Sequence, residues 1–405
     1  MDDPPGPSRR RLGYRRLDET RAVRSITALG ASLALAVSVA ACSYLAASGG
    51  GEPNPSPVVA AIPPTLATTP TPSPTIPPGG SWQVVTPTGA RGMSGVVAGG
   101  PGWIGVGGGA WTSPDGRTWT PATVEGSEPG MSEVAAGAGG YVAIGESVPR
   151  DAQGSGLIWQ SADGLDWRIV GSGPQFDLGP CIEGCPSMTD VAGGPAGFVA
   201  IGYRTGGAQV AWSSSDGQRW ETVPVKTFDV AESDVHLSGV AAGPSGFVIV
   251  GAIRAAGGTT ERPAFWVSPD GHAWTRTGPD QASTPSAAPF AVVAGGQGFV
   301  AVGGCRDGTC AIAWTSPDGL TWTQHLIDAS ESPSYAEAVA SDGDRVIAFS
   351  EAGTAVWTSD DGLEWTRHTV DAAPIDFEAA AGGDRGFIAM GSDKAETGYY
   401  VWLSP

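Results

Sequence analysis

The sequence predicts an all-β protein that folds as a single seven-bladed β-propeller of four-stranded blades. The evidence is a recurring seven-residue phrase, a second tryptophan at a fixed distance before each copy, and runs of small residues upstream. The phrase has Ser, Asp, Gly and Trp at fixed offsets and occupies residues 113–119, 161–167, 214–220, 268–274, 316–322 and 359–365. The preceding tryptophans are Trp111, Trp159, Trp212, Trp266, Trp314 and Trp357.

Each phrase is predicted to form the turn of a β-hairpin. Glycine accepts the positive φ that such a turn needs, and aspartate can hydrogen-bond the backbone amides that follow it. Upstream of each hairpin lie a small-residue run and a hydrophobic run, such as residues 191–194 and 197–202. These runs add two strands, so each unit has four. Successive final tryptophans stand 43–54 residues apart, which is typical of propeller blades.

Side-chain size indicates how each blade is oriented. The first strand of a unit, for example residues 94–98 or 238–242, consists of Val, Ala, Gly and Ser. Small side chains suit the axis of a propeller, where neighbouring sheets converge. The tryptophans fall in the third and fourth strands, where the sheets diverge and the space between them must be filled. The sequence therefore predicts an order from axis to rim within each blade.

The two ends of the chain are predicted to share one blade. After the sixth phrase, residues 379–383 and 386–391 begin another unit, which continues to residues 400–404 without a further turn phrase. A matching outer strand stands at the other end, in residues 81–85. Pairing these segments closes the ring and protects a sheet edge. Six full blades and one composite blade make the predicted seven.

The propeller is predicted to span residues 81–405. The region before it is predicted to contain two segments. Residues 1–41 hold seven arginines followed by an apolar run, residues 26–41, that is short for a spanning helix. They read as an export signal, and residues 39–42 resemble the lipobox of bacterial lipoproteins, which implies a lipid on Cys42. The alternative is an uncleaved signal anchor with an incidental cysteine. Residues 42–80 are rich in Pro, Thr and Ser and are predicted to be a disordered tether.

The other four cysteines form two close pairs, which predict disulfides in an exported protein. The pairs are Cys181 with Cys185 and Cys305 with Cys310. A zinc site is the competing use, but the four histidines show no ligand spacing with these cysteines. We therefore predict no metal and no cofactor.

The charge of the chain bears on its partners. Lys and Arg number 22 against 41 Asp and Glu; without residues 1–41, which hold seven arginines and four acids, 15 and 37 remain, a net charge of −22. Such a surface repels phosphate backbones and anionic headgroups. We predict a monomer that binds no nucleic acid and meets the membrane only through its lipid anchor.

The candidate binding site is the face opposite the repeated turns, because its loops are varied, and function usually lies on irregular loops. We call it the varied-loop face. Candidate residues near its axial mouth are Glu133, Asp190, Arg204, His236, Arg254, Glu337, Asp376 and Glu378. Glu133, Asp190 and Glu337 are predicted to occupy equivalent positions at the start of three inner strands. The bland alternative is that these residues cap loops or are simply solvated.

The phrase Ser-x-Asp-Gly-x-x-Trp resembles the Asp-box, or BNR repeat, of sialidases and related propellers, over residues 81–405. In those families the box lies away from the active site, which implies a structural role and no catalysis for Asp115, Asp163, Asp216, Asp270, Asp318 and Asp361. Sialidases also use an arginine triad and a Tyr nucleophile. The sequence has no Arg-Ile-Pro element; the nearest string is Arg168, Ile169 and Val170. The resemblance thus implies the fold without the activity.

Two functions stay open from the sequence. The first is a non-enzymatic propeller, exported and lipid-anchored to the outer face of a bacterial cell membrane, that binds a glycan or an extracytoplasmic protein. The second is a glycoside hydrolase that uses a carboxylate pair at the mouth, such as Glu133 with Glu337.

The predicted lipid anchoring can be tested by measuring the intact mass of the mature protein. We expect the mature protein to begin at Cys42 and to carry a diacylglycerol, because residues 39–42 resemble a lipobox. Mass spectrometry of the protein extracted from membranes measures both features. A lipid-free mass, or a mass that still contains residues 1–41, contradicts the prediction.

Overall fold

The computed structural model describes residues 82–90, 92–126, 130–147, 153–180, 186–231, 233–278, 286–296, 298–305, 307–328, 335–350, 355–369, 375–393 and 399–404. The predictions for the signal peptide, the tether, Cys42 and the Cys181–Cys185 pair lie outside these residues. Over the part of the chain that the structure describes, no helix has the length and apolar character needed to cross a bilayer.

The described residues form seven small antiparallel sheets arranged as the blades of a propeller, which confirms the predicted fold. The inner strands are Met93–Gly99, Met131–Gly137, Ser187–Gly194, Ser233–Gly243, Ala287–Gly295, Ala336–Ser341 and Ile375–Gly383. The second strands are Gly102–Gly107, Gly140–Ser147, Gly197–Tyr203, Gly246–Ala255, Gly298–Cys305, Val346–Ser350 and Gly386–Asp393. The third strands are Ala110–Ser113, Gln153–Ser161, Gln209–Ser214, Glu261–Ser268, Ala311–Ser316, Ala355–Ser359 and Tyr399–Leu403. The outer strands are Thr120–Pro121, Asp166–Gly171, Glu221–Thr222, Thr275–Thr277, Thr323–Asp328, Thr366–Thr369 and, in blade 7, Gln83–Val85.

Blade 7 is the composite blade, as predicted. Gln83–Val85 pairs antiparallel with Tyr399–Leu403, with Gln83 opposite Leu403 and Val85 opposite Val401. Blade 2 carries two additional strands. Thr123–Val124 runs parallel to its outer strand, and Asp177–Pro180 pairs with its third strand. Two single 3-10 turns, Pro174–Phe176 and Val225–Thr227, lie in the connections that follow blades 2 and 3.

The repeated turn is held by its own polar groups. In blade 2, Gly164 N donates to Ser161 Oγ (2.9 Å), Leu165 N donates to Asp163 Oδ1 (2.9 Å), and Trp167 Nε1 donates to Gly164 O (3.0 Å). The same three bonds recur in the other five copies. The serine and aspartate therefore stabilise the turn, and the tryptophan closes it.

The glycine of the repeated turn is required for two reasons. Gly164 has a φ of +82°, a conformation that residues with a Cβ rarely adopt. A Cβ at this position would also lie 2.5 Å from Ile104 Cδ1 of the preceding blade. A Cβ on Gly362 would likewise lie 2.7 Å from Val300 Cγ2 of the preceding blade. Each turn thus packs directly against the blade before it, and only glycine allows that approach.

The space between blades is filled by the third-strand tryptophans. In blades 2 to 7 these tryptophans are at most 3% exposed: Trp159, Trp212, Trp266, Trp314, Trp357 and Trp402. Trp111 of blade 1 is half-buried. Each belongs to an apolar cluster; Trp212, for example, packs among residues of blades 2 and 3. The inner strands contact one another around the axis through mainly small residues. The gradient from small to large side chains therefore runs from axis to rim, as the sequence predicts.

One predicted disulfide is present. Cys305 and Cys310 are bonded, with their Cα atoms 5.3 Å apart. The bond joins the end of the second strand of blade 5 to the start of its third strand. It thereby fixes a connection on the varied-loop face.

We expect Trp212→Ala to lower the free energy of unfolding by about 3–5 kcal/mol, the usual cost of a buried aromatic-to-alanine change. Trp212 is fully buried, stacks on Phe176 with ring centroids 5.8 Å apart, and donates to Gln175 O (3.1 Å). Denaturant unfolding measures the loss. Leu320→Ala is the control, because Leu320 is 52% exposed and should lose no more than about 0.5 kcal/mol. Equal losses in the two variants contradict this account of the packing.

Candidate functional site

Every inner strand contains a β-bulge near its start, where one extra residue opposes the second strand. The bulge residues are Ser94, Ser132, Thr189, Ser238, Phe290, Glu337 and Glu378. The residues that follow them are Gly95, Glu133, Asp190, Gly239, Ala291, Ala338 and Ala379. These two sets form successive rings around the axis, close to the varied-loop face.

The rings correct one prediction. Glu133 and Asp190 do occupy equivalent positions, in adjacent blades. Glu337 does not, because it is the bulge residue of blade 6 and aligns with Ser132 and Glu378. The predicted equivalence of the three residues was wrong by one position. A bulge shifts the alternation of a strand by one residue, but the inner strands consist mainly of small residues, whose hydrophobic pattern is too weak to show the offset in the sequence.

Asp190 connects three consecutive inner strands. Its Oδ1 accepts a hydrogen bond from Val191 N of its own strand (2.7 Å), and its Oδ2 accepts one from Val240 N of blade 4 (2.8 Å). A Cβ on Gly239 would lie 3.3 Å from Ala291 Cα and from Phe290 O of blade 5, so the inner strands approach closely here. On its other side Asp190 interacts with Glu133 of blade 2. The two half-buried carboxyls therefore lie at equivalent positions of adjacent inner strands, close enough for their charges to interact.

Burial favours the protonated form of both acids. It raises the pKa of Asp190 to about 7, although the amides of Val240 and Val191 lower it. Burial also raises the pKa of Glu133 well above its usual value, and the charge of Asp190 adds to the increase. Close like charges disfavour joint ionisation. Near neutral pH the two acids can thus hold a proton.

The aspartates of the repeated turns behave in the opposite way. Hydrogen bonds from backbone amides of the turn lower the pKa of each of Asp115, Asp163, Asp216, Asp270, Asp318 and Asp361. These carboxylates stay ionised and already accept hydrogen bonds within their turns.

The remaining acidic candidates are distributed over blades 6 and 7. Glu337 is exposed on the varied-loop face. Glu378 is half-buried and accepts a hydrogen bond from Ser392 Oγ (2.8 Å). Burial raises the pKa of the neighbouring Tyr399 hydroxyl, and the charge of Glu378 adds to this. Asp376 lies on the inner strand of blade 7 opposite Ser392, but its side chain is outside the described residues.

The basic candidates occupy blades 3 and 4. Arg204 N donates to Ala208 O (2.9 Å), so Arg204 closes the turn between the second and third strands of blade 3. Arg254 forms an ion pair with Asp234 at 3.2 Å, between the second and inner strands of blade 4. His236 Nδ1 is 3.3 Å from Ser238 Oγ. Burial lowers the pKa of His236, whereas the charge of Glu261 opposes the shift. The three basic candidates thus stand in three separate local contacts of blades 3 and 4.

Sequence reasoning missed two features of this face. Phe290, the bulge residue of blade 5, packs edge-on against Tyr335 with ring centroids 5.1 Å apart. Glu146 accepts hydrogen bonds from Ser187 Oγ and from Met188 N (3.1 Å), which ties blade 2 to blade 3. Burial raises the pKa of Glu146. Aligning the seven inner strands on their bulges would have singled out Phe290 as the one aromatic in its ring.

In the described ranges, no group of three or more His, Cys, Asp or Glu side chains is placed to hold a metal ion. The Glu133–Asp190 pair supplies two carboxyls, and the chemistry available from them is proton exchange and hydrogen bonding.

Comparison with known proteins supports the fold. No protein-family model and no curated protein matches the chain. Solved structures do. YCF48 from Cyanidioschyzon merolae is 17% identical, covers 80% of this chain and 98% of its own, and has a TM-score of 0.50. A catalytically inactive virginiamycin B lyase from Staphylococcus aureus, solved with quinupristin, is 10% identical. It covers 80% of this chain and 99% of its own, with a TM-score of 0.54. The Cps50 (Swd1) β-propeller domain of Myceliophteria thermophila is 11% identical. It covers 80% of this chain and 100% of its own, with a TM-score of 0.51. At these identities the likeness concerns the fold alone.

The raised pKa values predict a pH dependence of stability. We expect the free energy of unfolding to fall as the pH rises from about 4 to about 7, because folded Asp190 and Glu133 hold protons that the unfolded chain has released. In Asp190→Asn this fall should shrink by on the order of a few kcal/mol, at about 1.4 kcal/mol per pKa unit. Denaturant unfolding at about pH 5 and about pH 8 measures the difference.

Glu337→Gln is the matched control, because Glu337 is exposed in the adjacent ring. It should keep the full pH dependence. Glu146, whose pKa is also raised by burial, leaves a residual slope in both variants. An Asp190→Asn protein with the same pH dependence as the unmodified protein shows that the acid pair does not store the proton.

Proposed function

We propose that this chain is a non-enzymatic binding propeller, tethered outside the cell through Cys42, that recognises a glycan or an extracytoplasmic protein through its varied-loop face. The observation that carries the proposal is the contrast between the two faces. In the repeated turns the serine, aspartate and tryptophan polar groups bond within the turn itself. Repeated groups that are already bonded offer little for recognition, whereas irregular loops on a rigid scaffold are the usual site of it.

Polar side chains of several blades are accessible on the varied-loop face. The Arg254–Asp234 ion pair stands at its surface, with side chains 39% and 65% exposed. Glu337 is exposed on blade 6, and the Phe290–Tyr335 pair lies on the neighbouring inner strands. Charged and aromatic groups of this kind are the ones that contribute most to binding interfaces. The ring holds them at fixed positions around the axial mouth.

The alternative is a glycoside hydrolase, and one observation favours it. The Glu133–Asp190 pair has a raised pKa on both members, and a carboxyl that stays protonated near neutral pH is what a general acid needs. This pair replaces Glu133 with Glu337 as the candidate. Against it, both carboxylate oxygens of Asp190 already accept backbone hydrogen bonds, which is the arrangement of a structural carboxylate.

Retention on immobilised glycans and cell-wall polymers separates the alternatives. We expect residues 81–405 to be retained without release of sugar, and Arg254→Ala or Glu337→Gln to weaken retention by about tenfold if these groups are contact residues. Leu363→Ala is the control, because Leu363 is exposed on the face of the repeated turns. It should leave retention unchanged.

Two outcomes contradict the binding proposal. Release of sugar that Glu133→Gln abolishes identifies a hydrolase. Retention that Leu363→Ala weakens as much as Arg254→Ala does places the ligand on the wrong face. If the protein is not retained and no sugar is released, a glycan ligand is excluded. Crosslinking on the cell surface then tests for a protein partner.

A further inference from the structure

A cleft of about 280 Å³ lies between blades 7 and 1, on the face of the repeated turns. Gln83 and Ser404 of blade 7 and Pro114 and Asp115 of blade 1 line it, together with two arginines. In blade 7 the third and outer strands come from distant parts of the chain, so no repeated turn joins them. The cleft occupies the region next to that junction.

The two arginines reach the cleft from different blades. Arg117 follows the glycine of the first repeated turn and donates from Nη2 to Gln83 Oε1 of blade 7. Arg385 lies between the inner and second strands of blade 7 and donates from Nη1 to Pro114 O of blade 1. Each guanidinium carries five N–H donors. These contacts hold both groups at the cleft and leave most of their donors available.

Neither arginine forms an ion pair with a described acid, although the charge of Arg117 contributes to the lowered pKa of Asp115. Asp115 is the acid in the cleft wall, and its Oδ1 accepts hydrogen bonds from Arg117 N (2.8 Å) and Thr118 N (3.0 Å) of its own turn. Arg345, in the corresponding turn of blade 6, is by contrast paired with Asp342 at 2.6 Å. The cleft therefore has a net positive charge within a strongly acidic domain.

The arrangement occurs at no other blade junction of the described chain. The positions equivalent to Arg117 in the other repeated turns hold Leu165, Gln218, His272, Leu320 and Leu363. The positions equivalent to Arg385 in blades 3 and 4 hold Ala196 and Ser245. The chain thus shows that neither arginine is needed to form its turn.

We propose that this cleft is a binding site for a carboxylate-bearing ligand about the size of one amino acid or one sugar acid. Two arginines from different blades line this cleft, and guanidinium groups bind carboxylates through paired N–H donors. The volume is at the lower end of small-molecule sites, which restricts the ligand to a single acidic unit. The site lies on the face opposite the one proposed for glycan or protein recognition and does not depend on it.

The test is calorimetric titration of the full-length chain with N-acetylalanine and glucuronate, each beside its neutral counterpart, N-acetylalaninamide or glucose. We expect the matching acid to bind and its neutral counterpart not to bind. The two acids distinguish an amino-acid source of the carboxylate from a sugar source. Arg117→Leu and Arg385→Ala, which borrow residues from other blades, should each weaken binding by about tenfold or more, as expected for a charge-assisted hydrogen bond.

Arg219→Ala is the matched control, because it removes a positive charge from the repeated turn of blade 3, where Arg219 is 92% exposed. It should leave binding within a factor of about two. Arg117→Lys keeps the positive charge but loses the planar set of guanidinium N–H donors. This variant should therefore bind the acid less tightly than the unmodified chain and more tightly than Arg117→Leu. The site is disproved if neither acid binds better than its neutral counterpart, or if the double variant Arg117→Leu/Arg385→Ala binds the acids normally.

Discussion

The architecture depends on the close approach of each repeated turn to the preceding blade. The glycine at that contact adopts a positive φ and has no Cβ to collide with side chains such as Ile104 or Val300. The turn keeps its shape without help from its neighbour, because its serine, aspartate and tryptophan bond within it. A rigid turn that needs no external partner can pack against any smooth apolar surface. This explains how one short phrase serves blades whose other loops differ.

Much of the fold could be predicted because it is encoded locally. The turn residues fix the hairpins, the size of the side chains fixes the direction from axis to rim, and the strand at residues 83–85 supplies what the last unit lacks. The register of the inner strands could not be predicted in this way. Each inner strand has a bulge, and a bulge is set by pairing with a neighbouring strand and by the crowding at the axis. Glu337 was therefore placed one position away from its true equivalents.

The same limit applies to the candidate site. The sequence showed that Glu133 and Asp190 stand early in their strands, but not that they are neighbours or that Asp190 accepts an amide from a third strand. Nor did it show that Arg117 and Arg385, 268 positions apart by number, line one cleft. Contacts between blades arise only when the blades pack against one another, and those between blades 7 and 1 only when the ring closes. A site built from such contacts has no linear signature beyond the presence of suitable residues.

The composite blade has a mechanical consequence. Its outer strand is only three residues long, and the pair nearest the upstream chain is Gln83 with Leu403. Trp82, just before it, contacts Phe349 of blade 6 with ring centroids 6.0 Å apart. Any force transmitted along the chain from residues upstream of Trp82 therefore acts first on one aromatic contact and one strand pair. The seam that completes the ring is therefore also the place where tension from upstream would first act.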